Sequence, residues 1–398
     1  MFWKSLIVSL FLAAMTTSAR TMPPIEKGVS QTMAKWRAAN YSDVRYKLNL
    51  TIEKKAPTLK GSIEIFVKVR GEKLEVKGEN TSQLSPLTSH IILDWRKIKG
   101  HEELSKISNV SVNGKTSKFE ESNEHLIFKE NIKTGENIIK LDFESPILTS
   151  GGAITRYIDK EDGAEYIYSL FVPSDASTAF PVFDQPDLKA IFQLNVFAPI
   201  EWKFISNMNG SSRRRDYDTT KLRHIFFETK PISTYLFAFA MGEFAVFDEI
   251  EYSSSKKFSI LPNGEVTDSS FYKVYVRKSQ AEKFKPHAEE VFRLNRESIK
   301  YLEDYFDYKF PFPKYDLVLI PEFPFGGMEH AGATFLRESS VIFPTEPTAN
   351  NYISRANLIF HENAHQWFGD TVTMKWFDDL WLKEGFATFM AYKAMEKV

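Results

Sequence analysis

The chain has 398 residues, of which 43% are apolar and 26% charged; 51 basic and 52 acidic side chains nearly cancel, and there is no cysteine. That balance describes a globular protein with room for two ordinary domains and part of a third, not a disordered chain. It also lacks the basic excess of a nucleic-acid binder. Without thiols, disulfides, iron–sulfur clusters and thiolate zinc are excluded, so any metal must be held by His and carboxylates.

Met1–Lys4 is a short basic start, Ser5–Met15 is apolar, and Thr17-Ser18-Ala19 offers a small-residue cleavage site. The pattern predicts a signal peptide over 1–19, cleaved after Ala19, and a secreted or periplasmic protein. The apolar run is short for a bilayer, and no later segment is long and apolar enough for a transmembrane helix, so no integral membrane segment is expected after cleavage. Residues 20–43 are polar, lack strand periodicity, and read as a lead-in.

From Val44 the pattern becomes period two. Tyr46, Leu48, Leu50 and Ile52 alternate with polar residues, as do Ile63, Ile65, Val67 and Val69, which predicts half-buried strands. Ile91–Leu93, Leu126–Phe128, Ile138–Phe143, Ile167–Val172, Ile191–Phe197, Ile225–Glu228 and Leu236–Met241 continue the series. Turn signals fall at Asn113-Gly114, Thr134-Gly135 and Gly151-Gly152. Arg213-Arg214-Arg215 reads as a solvated turn. Residues 44–247 are thus expected to form one β domain. Beyond it, 281–305 has helical spacing with Ser279 as a candidate cap, ended by Pro311 and Pro313. Tyr315–Ile320 suits a buried strand. Ile353–Phe368 and Asp378–Glu396 read as two more helices, the first ended by Gly369. The last pattern runs to Val398 without a stop signal, so 248–398 is expected to be incomplete at its C-terminus.

The chemistry concentrates in His361-Glu362-Asn363-Ala364-His365. Four residues turn a helix through about 400°, so the two imidazoles share one face and can meet one tetrahedral metal, with Glu362 beside it. A core helix with two hydrogen-bonded histidines would look the same. Glu384, separated from His365 by 18 intervening residues, offers a third donor on the next helix, and its neighbours Leu382 and Phe386 argue against full exposure. Asp379 is a candidate to orient a ligand, or a plain surface carboxylate.

His-Glu-x-x-His, 18 residues, then Glu within Trp381-Leu382-Lys383-Glu384-Gly385-Phe386-Ala387 resembles the M1 zinc aminopeptidases. Gly326-Gly327-Met328-Glu329-His330 is similar to the exopeptidase signature of that family. Pro173-Ser174-Asp175-Ala176, Ala179–Pro186 and Pro231–Leu236 are similar to blocks of its N-terminal domain. The resemblance implies an α+β fold, with a saddle-like β domain followed by a partial thermolysin-like catalytic domain. It implies one zinc per chain on His361, His365 and Glu384. Glu362 would activate the zinc-bound water, Glu329 would hold the free α-amine of a peptide substrate, and Gly326, Gly327 and Met328 would lie against that peptide. Three departures stand out: His330 replaces an Asn, Leu170 replaces a Gln that contacts the amine, and the oxyanion tyrosine would lie beyond Val398. Two other functions compete with a zinc aminopeptidase. One is a non-catalytic zinc-binding scaffold on the same fold. The other is an endopeptidase or epoxide hydrolase of the same clan, which Glu329 disfavours.

Overall fold

The computed structural model describes residues 22–74, 83–86, 90–213, 220–249, 259–260, 266–267 and 271–398. The expected signal peptide, Arg214 and Arg215 lie outside them; Arg213 ends a strand, Gly210–Arg213, rather than opening a turn. The lead-in is not all irregular. Ser30 accepts a hydrogen bond from the Met33 amide and starts helix α1, Gln31–Asn40. This helix buries Met33, Trp36 and Arg37, a spacing of three and four that the low overall apolarity hides.

The alternating segments form an eight-stranded sheet in the order Gly210–Arg213, Lys221–Phe226, Ala190–Pro199, Tyr41–Thr51, Thr58–Val69, Gly135–Pro146, Lys106–Val112 and Lys115–Thr116. The expected alternation is the observed one: Tyr46, Leu48, Leu50, Ile63, Ile65 and Val67 are all buried. Asn113 and Gly114 both take positive φ, as a two-residue hairpin requires. A second sheet of four strands, Ile154–Ile158, Glu165–Ser169, Phe239–Gly242 and Lys203–Ser206, carries the run of buried aromatics around Phe171, Phe237 and Phe239.

The second unit centres on a mixed five-stranded sheet: Phe244–Asp248, Tyr272–Arg277, Tyr315–Ile320, Ala333–Arg337 and Gly327–Met328. Its three middle strands are parallel, and the two edges are antiparallel. The division expected at 247/248 falls inside the first of these strands. Helix α2, Ala281–Phe306, packs its Phe284, Ala288, Val291, Leu294 and Leu302 face on this sheet. Ser279 does not cap it; its hydroxyl donates to Asp159 instead. Helix α3, Ala349–His365, starts four residues earlier than expected because Asn351 Oδ1 accepts both the amide and the hydroxyl of Thr348. Helix α4, Leu380–Lys397, follows a short turn and lies against α3.

Long-range polar contacts join the two units. Arg277 makes a two-pronged ion pair with Glu338, at 2.8 and 2.6 Å, and reaches Asp159 of the β domain at 2.5 Å. Asn207 donates to the Ala331 carbonyl, Lys189 to those of Asp370 and Thr371, and Tyr235 to that of Gly369. The β domain therefore props the two loops that bracket α3.

Candidate metal and peptide site

Helix α3 ends at His365, not Phe368. The tight turn that follows brings the Phe368 carbonyl back to His365 Nδ1, at 2.9 Å. A carbonyl can only accept, so Nδ1 carries the proton and Nε2 presents its lone pair to the cleft. One turn earlier, His361 Nδ1 meets Thr388 Oγ1 of α4 at 3.3 Å, and its Nε2 faces the same point. Glu384 comes from the first turn and a half of α4. Its Oε2 lies 3.3 Å from His361 Nε2 and 3.4 Å from His365 Nε2, and the two imidazole nitrogens are 3.0 Å apart. A tetrahedral ion with bonds of about 2.1 Å holds its donors about 3.4 Å apart. The His361, His365 and Glu384 atoms fit that triangle and could hold a metal ion. Two neutral imidazoles and one carboxylate are also a donor set suited to zinc.

Glu362 points from α3 toward the edge strand Gly327–Met328. Its carboxyl is buried, and Oε2 has no hydrogen-bond partner among the described residues. Burial pushes it well above the ordinary carboxylate range, and the nearby Glu329 and Glu384 charges add to that. Gly327 is glycine for a steric reason: a Cβ there would lie 2.3 Å from Glu362 Oε1. Glu329 follows directly on the edge strand and is buried too. Burial raises its carboxyl, but the Lys383 ammonium and the His365 imidazole outweigh this and hold it below the usual range. Gln366 fixes the backbone here, donating to the Glu329 carbonyl and accepting from the Gly332 amide. All eight residues singled out in the sequence, Gly326, Gly327, Met328, Glu329, His361, Glu362, His365 and Glu384, line one cleft of about 540 Å³.

Lys383 was missed. It is 5% exposed, while its neighbour Trp381 is 66% exposed. Its ammonium pairs with Glu329 Oε1 and with Glu384 Oε1, the latter at 2.8 Å, and sits 5.5 Å over the Tyr235 ring. The apolar flank of Glu384 does not bury itself: Leu382 and Phe386 are exposed, Glu384 is only partly exposed, and the lysine between Leu382 and Glu384 is inside. Only its helical register, four residues before the buried Ala387, signals this. The candidate orienter Asp379 is exposed at the start of α4, and the group touching Glu384 is Lys383. Leu170 packs against the core and offers no polar group, while His330 is fully buried edge-on to Phe335, both ring nitrogens without hydrogen-bond partners among the described residues. Burial drives the His330 pKa down to about 3, so it stays neutral.

The chain is similar to known proteins over most of its length. Residues 42–236 match the Peptidase M1 N-terminal domain, and residues 291–398 match the Peptidase family M1 domain. The chain is 37% identical over 310 residues to "Probable aminopeptidase 1" of Sulfurisphaera tokodaii, covering 77% of this chain and 36% of that protein. It is 36% identical over 258 residues to "Aminopeptidase N" of Streptomyces lividans, covering 64% and 27% respectively. With "Glutamyl aminopeptidase" of Bos taurus the identity is 33% over 264 residues, 65% of this chain and 26% of that protein. The chain thus spans about a third or less of the length of these curated relatives. Two family domains in the right order, meeting in one cleft that gathers the motif residues, place the chain in peptidase family M1.

Proposed function

We propose that the chain carries the active site of a zinc-dependent aminopeptidase that hydrolyses the N-terminal peptide bond of peptides. One observation carries the reading: the His361, His365 and Glu384 donors, the Glu362 carboxyl, whose Oε2 has no partner among the described residues, and the Glu329 carboxyl share a single cleft. Zinc held by the three donors would supply Lewis acidity, polarising the scissile carbonyl and acidifying water. Glu362 would take the proton of the attacking water at Oε2 and pass it to the leaving amine. Its burial excludes bulk water, and its raised affinity for a proton suits a base that must hold one between the two transfers. Glu329 would pair with the substrate ammonium, a charge-assisted contact that fixes where the chain begins. The backbone of Gly326 and of the edge strand Gly327–Met328 would lie beside the peptide backbone, since neither glycine carries a side chain of its own.

The printed names of the relatives agree with this activity for those proteins. The unpartnered Glu362 oxygen argues for a catalytic group over a mere scaffold. Export through residues 1–19 remains part of the proposal. Among the described residues no helix is long and apolar enough to cross a membrane. The test measures zinc per chain and aminoacyl-anilide hydrolysis on one sample, with and without a chelator. One zinc with chelator-sensitive turnover that Glu362→Gln abolishes, zinc still bound, is expected. Turnover surviving in Glu362→Gln would overturn the role of that residue, and N-acetylated peptides cut as fast as free ones would overturn the aminopeptidase assignment.

A further inference from the structure

The Glu329 carboxylate already has an ammonium on it. Lys383 Nζ pairs with Glu329 Oε1 and, at 2.8 Å, with Glu384 Oε1. Both side chains of the first pair are almost wholly buried, so the contact is not a screened surface ion pair. An incoming ammonium on Glu329 would bring two like charges close together in a poorly hydrated pocket, where their repulsion is large. Lys383 has somewhere to go: Glu384 Oε1 is within reach, and the Tyr235 ring lies beneath its head.

We infer that Lys383 is a resident ammonium on the amine anchor, and that a ligand amine binds by exchange: it takes Glu329 as Lys383 withdraws to Glu384. The inference rests on Glu329 being that anchor. Exchange makes binding selective. A ligand without an ammonium cannot replace the charge that leaves Glu329, so the anchor stays closed to it. Lys383 is thus a positioning residue, one that sets the affinity for free N-termini.

The probe is leucinol, an amine without a carboxylate, with 4-methylpentan-1-ol as its amine-free control. Both are titrated calorimetrically into the zinc-loaded full chain. Lys383→Met removes the competitor and is expected to tighten leucinol binding at least tenfold; Lys383→Arg keeps it and should stay within threefold of wild type. The control alcohol should not distinguish the variants. Equal or weaker leucinol binding in Lys383→Met would overturn the exchange. Should that variant not fold, the wild-type chain still decides. With 15N-labelled lysine, the Lys383 ammonium resonance, identified by its loss in Lys383→Arg, is expected to move on saturation with leucinol; a resonance that stays in place overturns the proposal. Glu329→Gln separates the two layers. Unchanged leucinol affinity in Glu329→Gln would remove the anchor and the exchange together. Weakened affinity there, with no gain in Lys383→Met, would remove the exchange alone.

Discussion

Gly327→Ala perturbs the base without touching the metal donors. A Cβ at Gly327 falls 2.3 Å from Glu362 Oε1, 2.5 Å from Cδ and 2.7 Å from Cγ, whereas ordinary contact begins at 3.4 Å. The carboxyl must therefore retreat by about 1.1 Å, the difference of 3.4 and 2.3 Å. Because Cγ is also too close, turning the tip alone cannot relieve the clash. Overpacking of this kind costs about 1–3 kcal/mol of stability, and a shift of about 1 Å in a catalytic group costs on the order of a hundredfold in rate. The expected result is a kcat for aminoacyl-anilide hydrolysis lowered about a hundredfold. Zinc content should be unchanged, because the three atoms nearest the added Cβ all belong to Glu362 and not to a candidate metal donor. Gly326→Ala tests the steric part separately: its Cβ meets Leu358 Cδ1, at 3.2 Å, a flexible tip that can yield, and leaves Glu362 in place, so zinc content and stability should stay near wild type. A kcat for Gly327→Ala within threefold of wild type, with full zinc, would refute the steric argument and the placement of Glu362 with it.

Three other outcomes follow from contacts away from the candidate metal site. Arg277→Met leaves the buried Asp159 carboxylate and Glu338 without their cation, and should lower unfolding free energy by about 3–5 kcal/mol in urea titration; a loss under 1 kcal/mol would mean that the junction is not held there. Asp184 is pushed up to about 8 by burial first and by the Asp94 charge second. Its pKa is raised on folding, so its contribution is intact below pH 4 and declines as pH rises through 8. Asp184→Asn should match wild type near pH 4 and become the more stable of the two by pH 9, judged by urea midpoints; parallel pH profiles would contradict this. Asp94 moves the other way: although burial opposes it, Arg37 and His125 hold it down at about 2. Its stabilisation is present above pH 4 and lost as pH falls toward 2, so the deficit of Asp94→Asn should shrink over that interval.

What was legible in the sequence is what local periodicity encodes. Alternation located the strands from Tyr46 to Val69, and the i, i+4 histidines predicted a shared helix face, because both facts involve residues a few positions apart. The Glu384 side chain lies beside the imidazoles, as the spacing to the next helix allows, and it is only partly exposed although its apolar neighbours Leu382 and Phe386 face solvent. Contacts across the chain were not legible. Lys383 meets Glu329 from 54 positions away, and Tyr235 meets Gly369 across 134. No composition or period marks such partners. A buried lysine is also a poor guess on frequency alone, because charged side chains go inside only when paired, and its pairs are visible only in three dimensions.

The same contrast says what the motif residues need from the rest of the fold. A helix alone puts His361 and His365 on one face, but it leaves the imidazoles free to rotate and Glu384 unplaced. Orientation comes from the Phe368 carbonyl on His365 and from Thr388 on His361, and Glu384 is turned by Lys383, which occupies one carboxylate oxygen and leaves the other toward the imidazoles. The Phe368 turn is itself held at the neighbouring Gly369 and Asp370 carbonyls by Tyr235 and Lys189 of the β domain. The β domain therefore sets the geometry of the candidate metal donors through three hydrogen bonds, from two side chains, to one loop. Loosening either should show first as weaker zinc retention, while global stability, carried by the two large apolar cores, stays nearly constant.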